Sequence, residues 1–272
     1  MQATNTATAT PRPKALLNVD ANPKTIKNRK HNYLTGILYL APADLASTPE
    51  LKINVCSMAI LAQCKDPCLN MAGRGAFTTT QKARINKTRW FFEDRAGFMA
   101  QLVKEIEALE RKAQKLGLKP AVRLNGTSDI KWENVRFDYE FAFGKIRTTT
   151  VFQLFPDVQF YDYTKIPNRG TEDNPLPANY HLTFSYSGAP EFKRYADKAL
   201  DNAKHRRINI AVVFESEAKV QDYVRSGASF KGIPVIDGDA SDARFLDGKG
   251  VVVGLYAKGR AKRDNTGFVV RS

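Results

Sequence analysis

The sequence predicts an α/β fold, a full or partial (β/α) barrel of about six to seven mostly parallel strands. Short apolar runs that are typical of strands alternate with helical segments from residue 33 to the C-terminus. Such alternation implies parallel strands joined by right-handed crossovers, and a chain of 272 residues is long enough for one barrel. Polar residues follow most of the predicted strands, as in folds that bind ligands at the carboxyl ends of their strands.

The N-terminal residues 1–23 are expected to form a disordered tail, and residues 24–272 a single α/β barrel-like domain. Residues 1–13 are rich in Thr, Ala, Asn and Pro, a composition that does not support a packed core. They contain no apolar segment of the kind found in a secretory signal. No second set of linkers divides the rest of the chain. No apolar run approaches the ~18 residues of a membrane span, so we expect no membrane partner.

The predicted elements begin with a strand over residues 33–41, which Pro42 ends. A helix is predicted over residues 78–90, and its basic residues are spread around the helix, so some of them must face solvent. The next helix has Asp94 as its predicted N-cap, an apolar stripe at three- and four-residue spacing, and Gly117 at its end. The remaining strands are predicted over residues 120–125, 158–161, 180–184, 208–214, 233–236 and 250–256, and the remaining helices over residues 149–155, 191–204 and 216–224.

All three cysteines of the chain, Cys56, Cys64 and Cys68, lie in the loop between the first predicted strand and the first long helix. Their spacing is C-x7-C-x3-C. An odd number of cysteines without an export signal argues against a disulfide framework and for a reducing compartment. Three thiolates from one loop can bind a metal or an iron–sulfur cluster and leave one coordination position open, which is a feature of catalytic sites. The sequence therefore predicts that these three cysteines are metal ligands.

Two other interpretations of the cysteine loop stay open. A structural zinc site would need a fourth ligand, for which His31, His181 and His205 are the candidates. The pair of cysteines separated by three residues fits a zinc site, whereas the first cysteine, further upstream, fits it less well. In the other interpretation, the three cysteines are unreactive thiols.

The chain is strongly basic, with 42 Lys and Arg against 28 Asp and Glu and a formal net charge of +14. Basic side chains that neutralise phosphates release counterions, so this charge predicts a polyanionic partner, either nucleic acid or a nucleotide-bearing substrate. The alternative is a basic enzyme whose charge only keeps it soluble. The candidate phosphate-contacting segments are Lys24–His31, Arg206–Arg207 and Lys258–Arg263.

Asn125, Ser128 and Asp162 are the candidate cofactor-binding residues, because they come at the ends of two predicted strands. Asp129 and Lys165 follow in the same two loops. Loops are polar in any protein, and this simpler explanation accounts for part of the set. The sequence does not identify a catalytic residue.

A strand, then a loop with three cysteines, then a helix and repeated strand–helix units is the layout of the radical S-adenosylmethionine (radical SAM) enzymes, which this chain resembles. The resemblance implies a [4Fe–4S] cluster on Cys56, Cys64 and Cys68, S-adenosylmethionine at the open iron, and an external electron donor. The barrel would orient the substrate and exclude water. The chain departs from the family's usual C-x3-C-x2-C spacing, and Pro67 replaces the usual aromatic residue. Residues 125–129 are the nearest candidate for the family's Gly-Gly-Glu-like motif.

Four segments also resemble the bacteriophage "gene product 88" family, and this similarity extends from about Lys24 to the C-terminus. The segments are Cys68–Gly75, Ala83–Phe92, Arg123–Asp129 and Phe160–Lys165. The resemblance implies a phage-encoded protein that works in the host cytoplasm.

The two family resemblances, together with the basic charge, imply an enzyme of phage DNA hypermodification. The expected reaction is an isomerisation that converts a nitrogen-linked, glycinyl-type amino acid on the methyl group of thymidine into a carbon-linked one. The modified DNA would resist host restriction. A base inside a duplex must be flipped out to reach a buried site. The alternative function is a non-enzymatic nucleic-acid-binding phage protein whose cysteine loop is stabilised by zinc.

Overall fold

The computed structural model describes residues 10–20, 23–141, 144–171 and 174–271. Its strands are Leu17–Val19 (β1), Tyr33–Leu38 (β2), Lys119–Arg123 (β3), Phe137–Phe141 (β4), Lys145–Thr149 (β5), Gln159–Thr164 (β6), Tyr180–Ser185 (β7), Asn209–Phe214 (β8), Ser229–Phe230 (β9), Ile233–Asp237 (β10) and Val252–Tyr256 (β11). Its α-helices are Pro23–Lys27 (α1), Thr78–Glu93 (α2), Arg95–Lys115 (α3), Val151–Leu154 (α4), Lys193–Lys204 (α5) and Glu217–Ser226 (α6). Within these ranges, no helix combines the length and the apolar composition that crossing a membrane requires.

Nine strands form one sheet in the order β1-β2-β3-β6-β7-β8-β11-β10-β9. From β2 to β10 in this order, every strand is parallel to its neighbours, whereas β1 and β9 pair antiparallel at the two ends. The predicted α/β fold with mostly parallel strands is therefore confirmed. The predicted full barrel is wrong because the sheet is open: within the described residues, its two end strands pair only with β2 and with β10.

The longer helices pack on one face of the sheet, which we call the helical face. β2, β3, β6, β7 and β8 lie side by side in chain order, so right-handed crossovers carry their connections across the same face. α3 packs against β2 and β3, and α5 and α6 pack against β8. Two cores of buried apolar side chains fill this face, one beneath α2, α3 and α4 and the other beneath α5 and α6.

The opposite face of the sheet is covered by loops, and we call it the loop-covered face. β11 lies between β8 and β10, so the chain reverses its direction along the sheet after β10, and the connection 238–251 crosses this second face. The ring of Phe245 in this connection lies 4.8 Å from that of Tyr33 and 5.3 Å from that of Tyr161. Asn28, which precedes β2, packs there too, and its Oδ1 accepts a backbone hydrogen bond from the connection at 3.1 Å.

Part of the predicted tail over residues 1–23 belongs to the folded chain. β1 pairs with β2, and Leu16 and Leu17 are buried in the core of the helical face. Glu105 of α3 accepts hydrogen bonds from the backbone N–H groups of both leucines at 2.7–2.9 Å. The boundary at residue 23 therefore needs correction, because these leucines supply apolar surface to the core. The other residues of the predicted tail that lie outside the described ranges are 1–9, 21 and 22.

Local signals predicted some elements and missed others. Asp94 is the N-cap of α3, as predicted, and its Oδ1 accepts a hydrogen bond from the N–H of Gly97 at 2.9 Å. β4 and β5 form a separate two-stranded antiparallel sheet that was not predicted. Most of their residues are exposed, so the sequence contains no continuous apolar run there.

Candidate functional site

The cysteine loop lies at the carboxyl edge of the sheet, between the end of β2 and the start of α2. Cys56, Cys64 and Cys68 are all half-buried and free. Cys56 packs against a small, separate apolar cluster formed by Ala41, Ala46, Ile53 and Val55. Cys64 packs at the border of the core beneath α5 and α6. The Sγ of Cys68 accepts a hydrogen bond from the N–H of Asn70 at 3.5 Å. The structure thus places all three thiols where ligands bind in parallel sheets.

The three thiols lie close enough to influence one another's ionisation. Burial is the main cause of a raised pKa at each of them, and it raises the pKa of Cys56 to about 12. Negative charges on Asp129, Cys68 and Cys64 also raise the pKa of Cys56. Thiolates are the form that binds metals, and metal binding displaces the protons. The charge of Lys165 opposes this rise in pKa at Cys64 and, with Arg84, at Cys68, and a bound metal cation would favour the thiolates further.

The structure does not bring a histidine to the three cysteines. His31 precedes β2 and His205 follows α5, so both lie toward the amino edge of the sheet, away from the cysteine loop. His181 lies within β7, where burial and the charge of Arg244 lower its pKa to about 4. Within the described ranges, no three His, Cys, Asp or Glu side chains are grouped as they are around a single metal ion.

A buried lysine lies beside two of the cysteines. Lys165, which follows β6, is 8% exposed, and its Nζ donates hydrogen bonds to the backbone oxygen and to the Oγ of Ser185, both at 3.0 Å. Burial lowers the pKa of Lys165, whereas negative charge on Cys64, Asp129 and Cys68 would raise it. No carboxylate of the described residues forms an ion pair with this ammonium group. Negative charge at the cysteine site would therefore stabilise it.

α2 holds the cysteine loop through side chains on several of its sides. The Nη1 of Arg84 and the Nε2 of Gln81 both donate to the backbone oxygen of Asn70, at 2.9 Å each. Arg89 Nε donates to the backbone oxygen of Ala46 at 3.0 Å. The spread of basic residues around this helix, which the sequence analysis noted, thus reflects loop anchoring as well as exposure to solvent.

Arg84 is a second buried cation of the site. Its guanidinium lies 4.9 Å from the ring centroid of Tyr39. Burial lowers the pKa of Arg84, whereas the charges of Tyr39 and Cys68 would raise it. No ion pair joins it to a carboxylate in the described part of the chain. Three thiols beside two buried cations fit a thiolate-bound metal or cluster that carries net negative charge, because the two cations would offset that charge.

The predicted cofactor-binding residues Asn125, Ser128 and Asp162 come together in one buried network. The backbone N–H of Asn125 donates to Asp162 Oδ1 at 2.7 Å, and Ser128 Oγ donates to Asn125 Oδ1 at 2.9 Å. Tyr180 OH donates to Asp162 Oδ2 at 3.0 Å, and burial raises the pKa of Asp162 to about 7. These polar groups bind one another, so the network shapes the turn after β3. Their contact with a cofactor stays a prediction.

An ion-pair network missed by the sequence analysis supports the same turn. Arg169 forms two hydrogen bonds with Glu133, at 2.8 and 2.7 Å, and a third with Asp129 Oδ1 at 3.2 Å. Asp129 N–H in turn donates to the backbone oxygen of Val55 at 2.8 Å, which joins this turn to the cysteine loop. Arg169 lies in an irregular loop, and no spacing or periodicity in the sequence indicates its role.

The predicted phosphate-contacting segments lie at different places on the sheet. The 3-10 turn Gly259–Arg263 follows β11 at the carboxyl edge and packs against the turn Leu69–Met71 of the cysteine loop. A cleft of about 490 Å³ lies beside them, and Lys65 is among the basic residues that line it with Arg260 and Arg263. Arg206–Arg207 precedes β8 at the amino edge, and the segment 24–31 packs on the loop-covered face.

The comparisons with known proteins identify the family. The chain has no match among the curated proteins or the solved structures. Residues 15–272 match the profile of the family described as Gene product 88, which covers nearly the whole chain. The matched region includes every element of the nine-stranded sheet, the cysteine loop and the basic turn beside it. The chain therefore belongs to the Gene product 88 family.

Proposed function

We propose that this protein is a radical SAM enzyme that isomerises an amino-acid-decorated thymidine in phage DNA. Cys56, Cys64 and Cys68 would hold a [4Fe–4S] cluster, with S-adenosylmethionine at the open iron. One observation carries the proposal. Three half-buried thiols of one loop lie beside two buried cations, Lys165 and Arg84, and neither cation forms an ion pair with a carboxylate in the described part of the chain.

The proposed cofactor and the chain's own residues have separate tasks. A cluster with bound S-adenosylmethionine supplies, with an electron from an external donor, radical chemistry at an unreactive carbon. Cys56, Cys64 and Cys68 would bind a cluster as thiolates, and ligands of a multi-iron cluster need not surround one point as the ligands of a single ion do. Lys165 and Arg84 offset the negative charge of the thiolate-bound group. The partial burial of the three thiols would limit the access of water to the reactive centre.

Charge and family support a phage DNA substrate. Membership of the Gene product 88 family supports a bacteriophage origin, and the net charge of +14 supports a polyanionic partner. The cleft lined by Arg260 and Arg263 lies next to the cysteine loop, where it could bind the backbone around a flipped base. The reaction would move the link of a glycinyl-type amino acid from nitrogen to carbon in the host cytoplasm, and the product DNA would resist restriction.

Metal analysis under anaerobic conditions tests this proposal. We expect the reconstituted protein to bind about four iron and four sulfide per chain, to absorb near ~400 nm, and to form 5′-deoxyadenosine from S-adenosylmethionine with a reductant. Cys56→Ala should lose the iron and the product. Ser57→Ala is the matched control, because Ser57 is exposed in the same loop and carries no thiol.

Two outcomes would contradict the proposal in different ways. A colourless protein that holds zinc after reconstitution would favour the alternative, a non-enzymatic nucleic-acid-binding phage protein with a zinc-stabilised loop. Iron without formation of 5′-deoxyadenosine would show a structural or electron-transfer cluster instead of a radical enzyme.

A further inference from the structure

An arginine on the loop-covered face has hydrogen-bond donors that the protein does not use. Arg123 ends β3, and its side chain is 15% exposed. Its Nη1 lies 3.5 Å from both carboxylate oxygens of Asp242, further than the roughly 2.7–2.9 Å of a firm charged pair. Its Nε is buried and has no hydrogen-bond partner among the described residues. A guanidinium has five N–H donors, so most of those of Arg123 remain available.

Asp242, the carboxylate nearest to Arg123, is held by other groups. Its Oδ2 accepts a hydrogen bond from Tyr161 OH at 2.9 Å, and its backbone N–H donates to Asn28 Oδ1 at 3.1 Å. Both contacts are shorter than its contact with Arg123. The guanidinium can therefore bind a second anion while Asp242 stays in place.

A second arginine on the loop-covered face, Arg244, also has hydrogen-bond donors without partners among the described residues. We call Arg123, Arg244, Asp242 and Tyr163 the arginine cluster. Arg244 is 1% exposed, and its Nε and Nη1 have no hydrogen bond within the described ranges, although Nη1 lies 3.3 Å from Asp247 Oδ2. The charges of Arg244 and Arg123 both act on the phenol of Tyr163, and the guanidinium of Arg123 lies 4.8 Å from the centroid of that ring. Two under-bonded guanidiniums beside one half-buried tyrosine form a site that favours an anion.

The arginine cluster and the cysteine loop are connected through Tyr39 and Arg84. Tyr39, the residue after β2, is half-buried, and its ring lies under the guanidinium of Arg84 at 4.9 Å. The phenol of Tyr39 also interacts electrostatically with Arg123, and Arg84 interacts with Cys68. The Sγ of Cys56 lies 3.9 Å from the backbone oxygen of Thr127, in the turn after β3. Arg123 and the cysteine loop are therefore both at the carboxyl end of β3, and an anion bound to Arg123 would lie at that end too.

We propose that Arg123 binds the carboxylate of the amino acid on the modified base and so selects decorated over plain thymidine. This inference rests on the proposed function and names its substrate-recognising residue. A planar carboxylate matches the fork of a guanidinium with two parallel hydrogen bonds, and plain thymidine has no such group. S-adenosylmethionine also has a carboxylate, but in the proposed function its methionyl part is bound to the open iron. Arg123 is therefore assigned to the substrate.

Binding of two short single-stranded oligonucleotides to the full chain, without cluster, tests the assignment. Each carries one thymidine with a nitrogen-linked glycine on its methyl group, and in the second the glycine carboxylate is replaced by the carboxamide. We expect the acid to bind about 10- to 100-fold more tightly than the amide. Arg123→Gln should abolish this difference. Arg111→Gln, which removes an exposed arginine of α3, should preserve it.

Further variants and ligands keep the test decisive. Arg123→Lys retains a positive partner for Asp242, and we expect it to fold and to lose most of the preference for the acid, because an ammonium lacks the fork. Equal binding of acid and amide by the unmodified protein would overturn the assignment. So would a loss of S-adenosylmethionine binding in cluster-reconstituted Arg123→Gln that equals its loss of oligonucleotide preference. Failure of cluster assembly would contradict the proposed function alone, since the cluster is absent from the oligonucleotide measurements.

Discussion

At the scale of single residues, the candidate site is defined by buried cations that form no ion pair with a carboxylate among the described residues. Lys165 is buried, donates only to uncharged oxygens, and lies beside Cys64 and Cys68. A buried cation without a paired anion is costly unless bound negative charge offsets it. Burial also raises the pKa of each of the three thiols, so that the negatively charged thiolate is disfavoured. A thiolate-bound cluster would stabilise the thiolates, and its negative charge would offset the charge of Lys165.

The charge of Lys165 should tune the reduction potential of a bound cluster. A positive charge near a cluster stabilises its reduced form, so Lys165→Met should shift the midpoint potential to more negative values, on the order of 100 mV. Potentiometric titration of the reconstituted protein measures this shift. Lys119→Met is the matched control, because Lys119 is exposed at the amino end of β3. Equal shifts in both variants would contradict the placement of Lys165 next to the cluster.

Asp162 should make the stability of the fold depend on pH. Burial raises its pKa to about 7 in the folded chain, from an ordinary value near 4. A raised carboxyl pKa stabilises the fold below pH 4, and this stabilisation is lost as the pH rises to about 7, by at most about 4 kcal/mol. Urea unfolding across pH 4–7 should show this decline. Asp162→Asn should flatten it, and an unchanged slope in that variant would contradict the prediction.

Single residues of the site differed in how far the sequence predicted them. The cysteines were found because all of them lie in one loop, and Lys165 and Asp129 because they follow predicted strands. Arg84 was noted only as one of several basic residues on a helix. Arg169 was missed, because its carboxylate partners Glu133 and Asp129 are separated from it by more than 30 residues and no local pattern marks such a contact.

At the scale of elements, the turn after β3 is fixed by a close backbone approach. The N–H of Gly126 donates to the backbone oxygen of Leu38 at 2.9 Å. A Cβ at Gly126 would lie 2.7 Å from that oxygen, from Ile37 Cγ2 and from Tyr39 Cδ1. Glycine is therefore required there by the packing of β3 against β2.

Gly126→Ala should destabilise the fold, because backbone and ring atoms would have to move. We expect a loss of about 1–3 kcal/mol in the free energy of unfolding, measured by urea denaturation. Gly248→Ala is the control, since no heavy atom lies within 4 Å of a Cβ added at that position. Similar losses in both variants would show that the effect does not come from the contact with β2.

Among the elements, the parallel orientation of the strands was easier to predict than whether the sheet closes into a barrel. Alternating apolar runs and helices predicted parallel strands, which local periodicity can show. The open sheet depends on which distant strands pair, and in particular on β11 lying between β8 and β10. β1 was taken for a tail because a three-residue strand is too short to show a period.

At the scale of the whole molecule, the net charge of +14 is spread over both edges of the sheet. The turn Gly259–Arg263 lies beside the cysteine loop at the carboxyl edge, whereas Arg206–Arg207 lies at the amino edge. Net charge alone predicts that both segments contribute equally to DNA binding. A substrate path at the cysteine loop predicts that only the first contacts phosphates directly.

The two edges can be separated by the salt dependence of DNA binding. Each phosphate contact contributes about 0.7–0.9 to the slope of log K against log salt concentration. Arg260→Gln with Arg263→Gln should lower the slope by roughly 1.5 and weaken binding about 10-fold or more at low salt. Arg206→Gln with Arg207→Gln removes the same charge from exposed positions at the other edge and should leave the slope unchanged. Fluorescence anisotropy with a labelled single strand at several salt concentrations measures both slopes. Equal slopes in the two double variants would mean that the positive charge attracts DNA only through its overall field. The prediction that the carboxyl edge contacts phosphates directly would then be wrong.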